Sequence, residues 1–317
     1  MSWSLFLLRR LAALVPTLAA LSVLVFGATE LLPGDAVGAV AGPDATEAER
    51  AAVRERLGLD DDPVTRYLRW AGGAVRGDLG TAYTGGRAVH ELIASRLPHS
   101  LLLAGLALAV TVPLSIALGL WAGSRAGRRA DRAVSTGVLL VAGLPEFVTA
   151  TALWWLLAGE LGLLPRVSLV PLGGSPLDTP EILVLPALTL AATGVAVGTR
   201  LVRSASAEAV ASPWIEAARL RGVGGARLAV RHVLPGALAP ATQAFGLITG
   251  ALVGGAIVVE TVYGYPGIGL ELQQAVAHRD IPLVQGIALV LCAATLATVL
   301  LADLAARALD PRRGSLR

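Results

Sequence analysis

The 317-residue sequence contains no lysine, so all 26 of its basic residues are arginines. A phosphate-binding loop of the G-x-x-x-x-G-K-[ST] type needs a lysine to reach the phosphates, and Schiff-base chemistry needs a lysine amine. Both kinds of site are therefore excluded from this chain. We predict that the chain is not an enzyme.

Cysteine and histidine are also scarce. The single cysteine, Cys292, lies in an apolar run, so no disulfide can form within the chain. The four histidines are scattered, without the close pairs that bind metals. The sequence therefore predicts no metal site in this chain.

Charge is the third scarce property. Only 15% of the residues are charged, 55% are hydrophobic, and the mean hydropathy is +0.68. A soluble domain has about 25% charged residues. This composition indicates a polytopic membrane protein.

Six stretches are apolar enough to cross a bilayer, which takes about 20 residues. They are residues 11–32, 101–122, 133–159, 182–199, 236–259 and 281–302. Pro145 and Glu146 interrupt the third stretch. The first lacks an A-x-A cleavage site and is too long for a signal peptide, so we expect it to remain as a span. The predicted fold class is all-α, with six transmembrane helices.

The arginines predict the orientation of these spans. If the N-terminus is cytoplasmic, the inside segments hold sixteen arginines, and the two short outside segments hold only Arg166 and Arg279. Short cytoplasmic segments are enriched in arginine, whereas long loops cross the membrane largely regardless of charge. Both termini are therefore expected in the cytoplasm.

The spans divide the chain into four segments. Residues 1–32 form an N-terminal segment with the first span, and residues 33–100 form an extracytoplasmic loop or cap. In that loop Thr46 and Glu49 have capping-box spacing, and the helix that they begin is expected to stop at Gly58. Residues 101–310 form a five-helix core with a cytoplasmic loop at 200–235. Residues 311–317 form a cytoplasmic tail.

The loop at 200–235 contains the signals of a short helix. Ser212 suits the N-cap and Pro213 the first helical position, so residues 214–221 are predicted to be helical. Gly222 suits a left-handed stop. Two interpretations of this helix remain open at this point. Its small residues Ala217 and Ala218 suit close approach by another protein, or the helix is a connector that rests on the lipid headgroups.

The same loop resembles a known family pattern. Glu216, Ala217, Ala218 and Gly222, followed by Leu234-Pro235, resemble the E-A-A-x-x-x-G loop of ABC importer permeases. His232 stands where that family usually has an apolar residue. Further stretches resemble the first permease subunit of the dipeptide, oligopeptide and nickel importers. They include Leu32-Pro33-Gly34-Asp35, Gly77-Asp78-Leu79-Gly80, Tyr265-Pro266-Gly267-Ile268-Gly269 and Leu309-Asp310-Pro311-Arg312.

This resemblance implies a type I ABC importer permease in the bacterial inner membrane, forming half of a pathway for peptides or nickel. It implies four kinds of partner: a homologous second permease, two ATPase subunits that bind ATP and Mg²⁺, an extracytoplasmic substrate-binding protein, and the bilayer. No nucleic acid is expected, and this chain itself is expected to hold no cofactor. The residues implied to dock the ATPase are Ser212, Glu216, Ala217, Ala218, Gly222, Leu234 and Pro235.

Two carboxylates are candidates for the transport pathway. Glu146 lies within a predicted span, where a carboxylate either lines the pathway or supports a helix break. Glu260 lies at the outer end of the fifth span, where water could reach it, or it caps the turn that follows. The alternative function is an ion-coupled secondary transporter with Glu30, Glu146 and Glu260 as relay groups. That class often has inverted repeats, and the two halves of this sequence show no convincing pairing.

Overall fold

The computed structural model describes residues 3–31, 36–42, 44–171 and 174–309. The motif at 32–35 and the tail at 311–317 therefore lie outside the described residues. Within these ranges the chain forms helices and no strands, so the predicted all-α class is confirmed. The helices are α1 (Trp3–Glu30), α2 (Ala36–Ala41), α3 (Glu47–Arg56), α4 (Pro63–Val75), α5 (Val89–Gly123), α6 (Arg129–Ala142), α7 (Glu146–Leu153), α8 (Glu181–Val210), α9 (Pro213–Leu220), α10 (Gly225–Leu228), α11 (Leu234–Tyr263), α12 (Ile268–Ala277) and α13 (Ile281–Leu309).

Five helices are long and apolar enough to cross a membrane, namely α1, α5, α8, α11 and α13. The third predicted span is two helices instead. A π-helical segment extends α7 to Glu160. α6 and this extended α7 meet at an angle of 102°. Pro145 has extended backbone angles and caps α7, and proline also disfavours the α conformation in the residue before it. The count of six spans holds only if this bent pair is counted as one.

All five long apolar helices extend beyond their predicted spans, and α5 and α8 extend furthest. α5 begins at Val89, twelve residues before the apolar run, and α8 continues to Val210, eleven residues past it. An apolar run measures the part that lipid covers, whereas helical hydrogen bonding continues through polar residues. The segment at 200–235 is therefore not a loop throughout, because its first eleven residues are helical.

The chain divides into two compact units. The first comprises Met1–Ser100 and Pro266–Leu296, and its core gathers small and branched apolar side chains of α5, α12 and α13. The capping box that begins α3 is confirmed, because the Glu49 amide donates to the Thr46 hydroxyl and the Thr46 amide donates to the Glu49 carboxylate. The Thr46 amide and the Thr46 hydroxyl both donate to the Glu49 carboxylate, and these two hydrogen bonds lower the pKa of Glu49. Gly58, with φ +63°, follows the end of α3 as predicted.

The second unit comprises Leu101–Tyr265 and Ala297–Arg317, and α8 lies at its centre. Small residues bring its helices close together. A Cβ added at Gly119 of α5 would lie 2.6 Å from Cβ of Val202 on α8, and one added at Gly198 of α8 would overlap Ser115 of α5. Close approach at small residues is how helices pack in membranes, where apolar burial gives little driving force.

Candidate functional site

The short helix predicted in the loop after α8 is present as α9, Pro213–Leu220, one residue earlier than expected. Ser212 has the extended backbone of an N-cap, with φ −78° and ψ 146°. Its hydroxyl does not cap the helix, however, but donates to the carbonyl of Ala209 at the end of α8. Ser212 is therefore the N-cap residue as predicted, but its side chain ties the two helices together instead of capping α9.

Gly222 ends α9 as predicted. Its φ is +81°, its amide donates to the Arg219 carbonyl at 2.9 Å, and the Val223 amide donates to the Ala218 carbonyl at 3.1 Å. These bonds satisfy carbonyls that the end of a helix leaves open. The left-handed conformation at Gly222 turns the chain out of the helix axis.

One side of α9 packs on its own chain. Ile215 is fully buried and Ala218 is 7% exposed. Both belong to a cluster with side chains from the ends of α5 and α8 and from the segment that follows α9. Ala218 therefore faces inward, and the expectation that it faces an ATPase does not fit its burial. Glu216 is exposed and Ala217 is half-buried.

The exposed part of α9 carries two large apolar side chains. Trp214 is 60% exposed and Leu220 is 84% exposed. Neither was among the residues expected to dock. The signal was in the sequence, because Trp214, Ile215 and Leu220 point in three different directions on an ideal helix and cannot all pack on one side.

The last two predicted docking residues, Leu234 and Pro235, begin α11. Leu234 packs against the cluster that holds Ile215 and Ala218, and Pro235 is exposed. A π-helical segment, Ala229–Val233, leads into α11. Leu234 thus connects the loop to the start of a candidate span.

An ion pair with a buried carboxylate joins α6 to α8 and was missed by sequence reasoning. Asp131, 3% exposed, receives two hydrogen bonds from the Arg203 guanidinium, at 2.8 Å from Nε and 2.6 Å from a terminal nitrogen. The Gly127 amide and the Ser135 hydroxyl also donate to this carboxylate. The partners are 72 residues apart, so no local pattern could have paired them. The pair fixes the start of α6 on α8, nine residues before Ser212.

Glu146 is the first residue of α7, at the bend that follows α6. It is half-buried, and within the described residues its carboxylate has no hydrogen-bond or ion-pair partner. The carboxylate lies so close to Gly255 of α11 that a Cβ there would overlap it. Gly255 therefore makes room for this carboxylate.

Glu260 is fully buried, so the expectation that water reaches it is wrong. Its backbone carbonyl accepts hydrogen bonds from the amides of Gly264 and Tyr265, and Gly264 has φ +67°. Burial and the nearby Glu260 charge raise the pKa of Tyr265. Glu30, the third carboxylate of the alternative function, pairs with Arg66 at 2.6 Å.

No cluster of three metal-ligating side chains occurs among the residues that the structure describes.

Comparison with known proteins gives the same family as the motifs. Residues 115–315 match the family described as the inner membrane component of binding-protein-dependent transport systems. A Brucella ovis protein described as a peptide permease is 35% identical over 316 residues, covering 96% of this chain and 97% of that protein. The glutathione transport system permease protein GsiC of Salmonella paratyphi A is 33% identical over 306 residues, covering 96% and 97%.

A solved structure supports the fold. The crystal structure of an amino acid ABC transporter with histidines matches with a TM-score of 0.52 and 22% identity, over 68% of this chain and 94% of that chain. The similarity supports the all-α permease fold expected from the sequence. With the family match and the relatives, it leads to one conclusion: the chain belongs to the family of inner-membrane permease components of binding-protein-dependent ABC importers.

Proposed function

We propose that this chain is one of two membrane subunits of an ATP-driven importer of peptides. It pairs with a homologous permease, receives substrate from an extracytoplasmic binding protein, and is driven by two ATPase subunits that bind ATP and Mg²⁺. The names of its relatives, which are peptide and glutathione permeases, support the substrate class. Both termini lie in the cytoplasm, as the arginine distribution favours.

The observation that carries this proposal is the division of α9 into a buried and an exposed side. Ile215 and Ala218 hold the helix on its own chain, while Trp214 and Leu220 remain exposed. Large apolar side chains that a protein leaves exposed near a charged residue such as Glu216 suit an interface with another protein. We assign that partner as the ATPase, and Trp214, Glu216 and Leu220 as its contacts.

The test separates docking from folding. Trp214→Ala and Leu220→Ala should reduce co-purification of the ATPase subunits and leave the melting temperature of the permease pair unchanged. Ala218→Trp should lower that melting temperature, because its side chain faces the interior. Leu177→Ala is the matched control, since Leu177 is 62% exposed and lies in a segment expected outside the cell. Full ATPase retention by both α9 variants would contradict the assignment.

The substrate is tested by uptake into proteoliposomes that contain the complete complex. A panel of dipeptides, longer peptides, glutathione and nickel compares the candidates directly. Peptide-stimulated ATP hydrolysis with uptake is the expected result. Uptake of nickel alone, or uptake driven by a proton gradient without ATP, would contradict the peptide importer.

We also propose that Glu146 contacts the substrate in the pathway. Its partial exposure and its lack of a partner within the described residues support this role, because an unpaired carboxylate in a membrane is costly and suggests function. Glu146→Gln keeps the size of the side chain and removes its charge. Transport of cationic peptides should fall, with little change in melting temperature. Equal transport of the cationic panel by both proteins would refute the role.

A further inference from the structure

The helix α4 has a surface that its own unit leaves open. Val64, Leu68 and Val75 are 63%, 63% and 89% exposed. At 100° per residue these three positions fall within about 40° of one another, so they form one apolar stripe. Thr65 and Arg69 are also exposed and lie on one flank of the stripe. The helix is therefore amphipathic, although its apolar face is not the one that packs on protein.

The other side of α4 packs on the first span. Tyr67 contacts Phe26 with ring centroids 5.5 Å apart, and Trp70 contacts the same ring at 6.0 Å. The Tyr67 hydroxyl is 2.9 Å from the Ser22 hydroxyl. Arg66 pairs with Glu30 at the end of α1. Tyr67 and Trp70 lie three positions apart, which puts both side chains on the face of α4 that meets α1.

These contacts give the depth of α4 in the membrane. Residues 11–29 of α1 carry no charge between Arg10 and Glu30, a length of about 28 Å that matches a hydrocarbon core of about 30 Å. Glu30 therefore marks the boundary of the core at this end of α1. Ser22 is eight residues inside that boundary, or about 12 Å along the helix. Tyr67 must reach below the boundary to meet Ser22, so α4 itself lies at the level of the lipid headgroups and upper acyl chains.

At that level the chemistry of each side of α4 matches its surroundings. The apolar stripe suits acyl chains, the polar Thr65 and Arg69 flank suits headgroups and water, and the aromatic side packs on α1. Tyrosine and tryptophan are enriched at this level of membrane proteins, and amphipathic helices lie there with their apolar face in the lipid.

We propose that α4 is an interfacial helix whose Val64, Leu68 and Val75 side chains are embedded in lipid. The segment that links α1 to α5 is thereby held on the membrane surface instead of standing free above it. The lipid contact is independent of what the chain transports, and of which side of the membrane holds Glu30.

Spin labels test the proposal in the complete complex. Cysteines are placed at Leu68 on the stripe and at Thr65 on the flank, in a Cys292→Ala background, and the complex is reconstituted in phosphatidylethanolamine and phosphatidylglycerol vesicles. The label at Leu68 should collide several-fold more with oxygen, which partitions into lipid, than with a water-soluble nickel chelate. The label at Thr65 should show the reverse. Similar nickel accessibility at both positions would overturn the proposal.

The alternative is that the substrate-binding protein, and not lipid, covers the stripe of Val64, Leu68 and Val75. In that case the Leu68 label would be accessible to nickel in vesicles and would become protected when the binding protein is added, which would also overturn the proposal. A second measurement needs no variant. Lipids with a photoreactive group in the acyl chain should cross-link to the 63–76 peptide of the unmodified protein. Absence of adducts on this peptide, with adducts present on α1, would contradict lipid contact.

Discussion

Single glycines set the distance between helices in the second unit, and neighbouring glycines differ sharply in how much space they have. Gly255 of α11 faces the Glu146 carboxylate, which leaves no room for a Cβ. Gly254, one residue earlier, has no atom within 4 Å of the position that a Cβ would occupy. The same substitution at these two positions therefore separates a packing effect from a change in helix propensity.

Gly255→Ala should destabilise the permease by no more than about 1 kcal/mol, the low end of an overpacking cost, because the atoms that its Cβ would meet are the end of the flexible, half-buried Glu146 side chain. Gly254→Ala should have little effect or stabilise α11 slightly, since alanine is the better helix former. Removing the obstructing group in Gly255→Ala/Glu146→Ala should recover most of the loss. Thermal unfolding in detergent measures all three. Equal effects of the two single alanines would disprove the contact.

The Asp131–Arg203 ion pair joins α6 to α8 through two single side chains. Asp131→Asn keeps the shape of the side chain and removes its charge, so the guanidinium loses its ionic partner. We expect a loss of about 1–3 kcal/mol, in the range of hydrogen bonds to charged groups, because Arg203 retains some contact with water.

A double-mutant cycle with Arg203→Gln isolates the pair. The double variant should be less destabilised than the sum of the two single variants. Asp60→Asn, at an exposed turn position, is the control and should not change the melting temperature. Additive single effects would show that the two side chains do not interact.

The helix α9 shows how an element as short as two turns is held in place. Its end depends on Gly222, and the next helix begins after Gly224, which has an extended backbone with φ −139°. Neither glycine has an atom within 4 Å of an added Cβ, so the two positions differ in backbone conformation and not in space. They form a matched pair for testing the left-handed stop.

Gly222→Ala should cost about 1–2 kcal/mol, because a Cβ is strained in the left-handed region. Gly224→Ala should be close to neutral. The strain falls where α9 ends, so Gly222→Ala is also expected to weaken co-purification of the ATPase. The check is the melting temperature of the permease pair together with ATPase retention. A loss at Gly224 as large as that at Gly222 would rule out the conformational explanation.

In the whole chain, cysteine labelling reports which side of the membrane each segment occupies. Gly86 and Gly127 are unsuitable positions for the label, because their φ values of +64° and +81° would strain a cysteine. Gly173, in the short segment before α8, lies outside the described residues. Arg87 and Arg128 are exposed neighbours without positive φ and are better sites.

In sealed cells and a Cys292→Ala background, a membrane-impermeant maleimide should label Arg87→Cys and spare Arg128→Cys. Opening the cells should make both accessible, which controls for local burial. The reason is the concentration of arginine in the segments expected inside. Labelling of position 128 in sealed cells would reverse the orientation.

The sequence by itself determined the features that depend on neighbouring residues. Apolar runs fix which segments lipid covers, the Thr46–Glu49 spacing fixes a helix start, and Gly222 fixes a helix end. The family also follows from local motifs. Each of these features is decided by side chains within a few positions, where backbone geometry leaves few alternatives.

Only the tertiary structure decided which side of each element faces protein. α9 could have turned Ile215 or Leu220 toward the protein, and packing of Ile215 and Ala218 on the ends of α5 and α8 left Trp214 and Leu220 exposed. Asp131 met Arg203, and Gly255 met Glu146, because separate helices came together. These contacts join residues far apart in the chain, so their energies depend on how the helices pack and not on any local pattern.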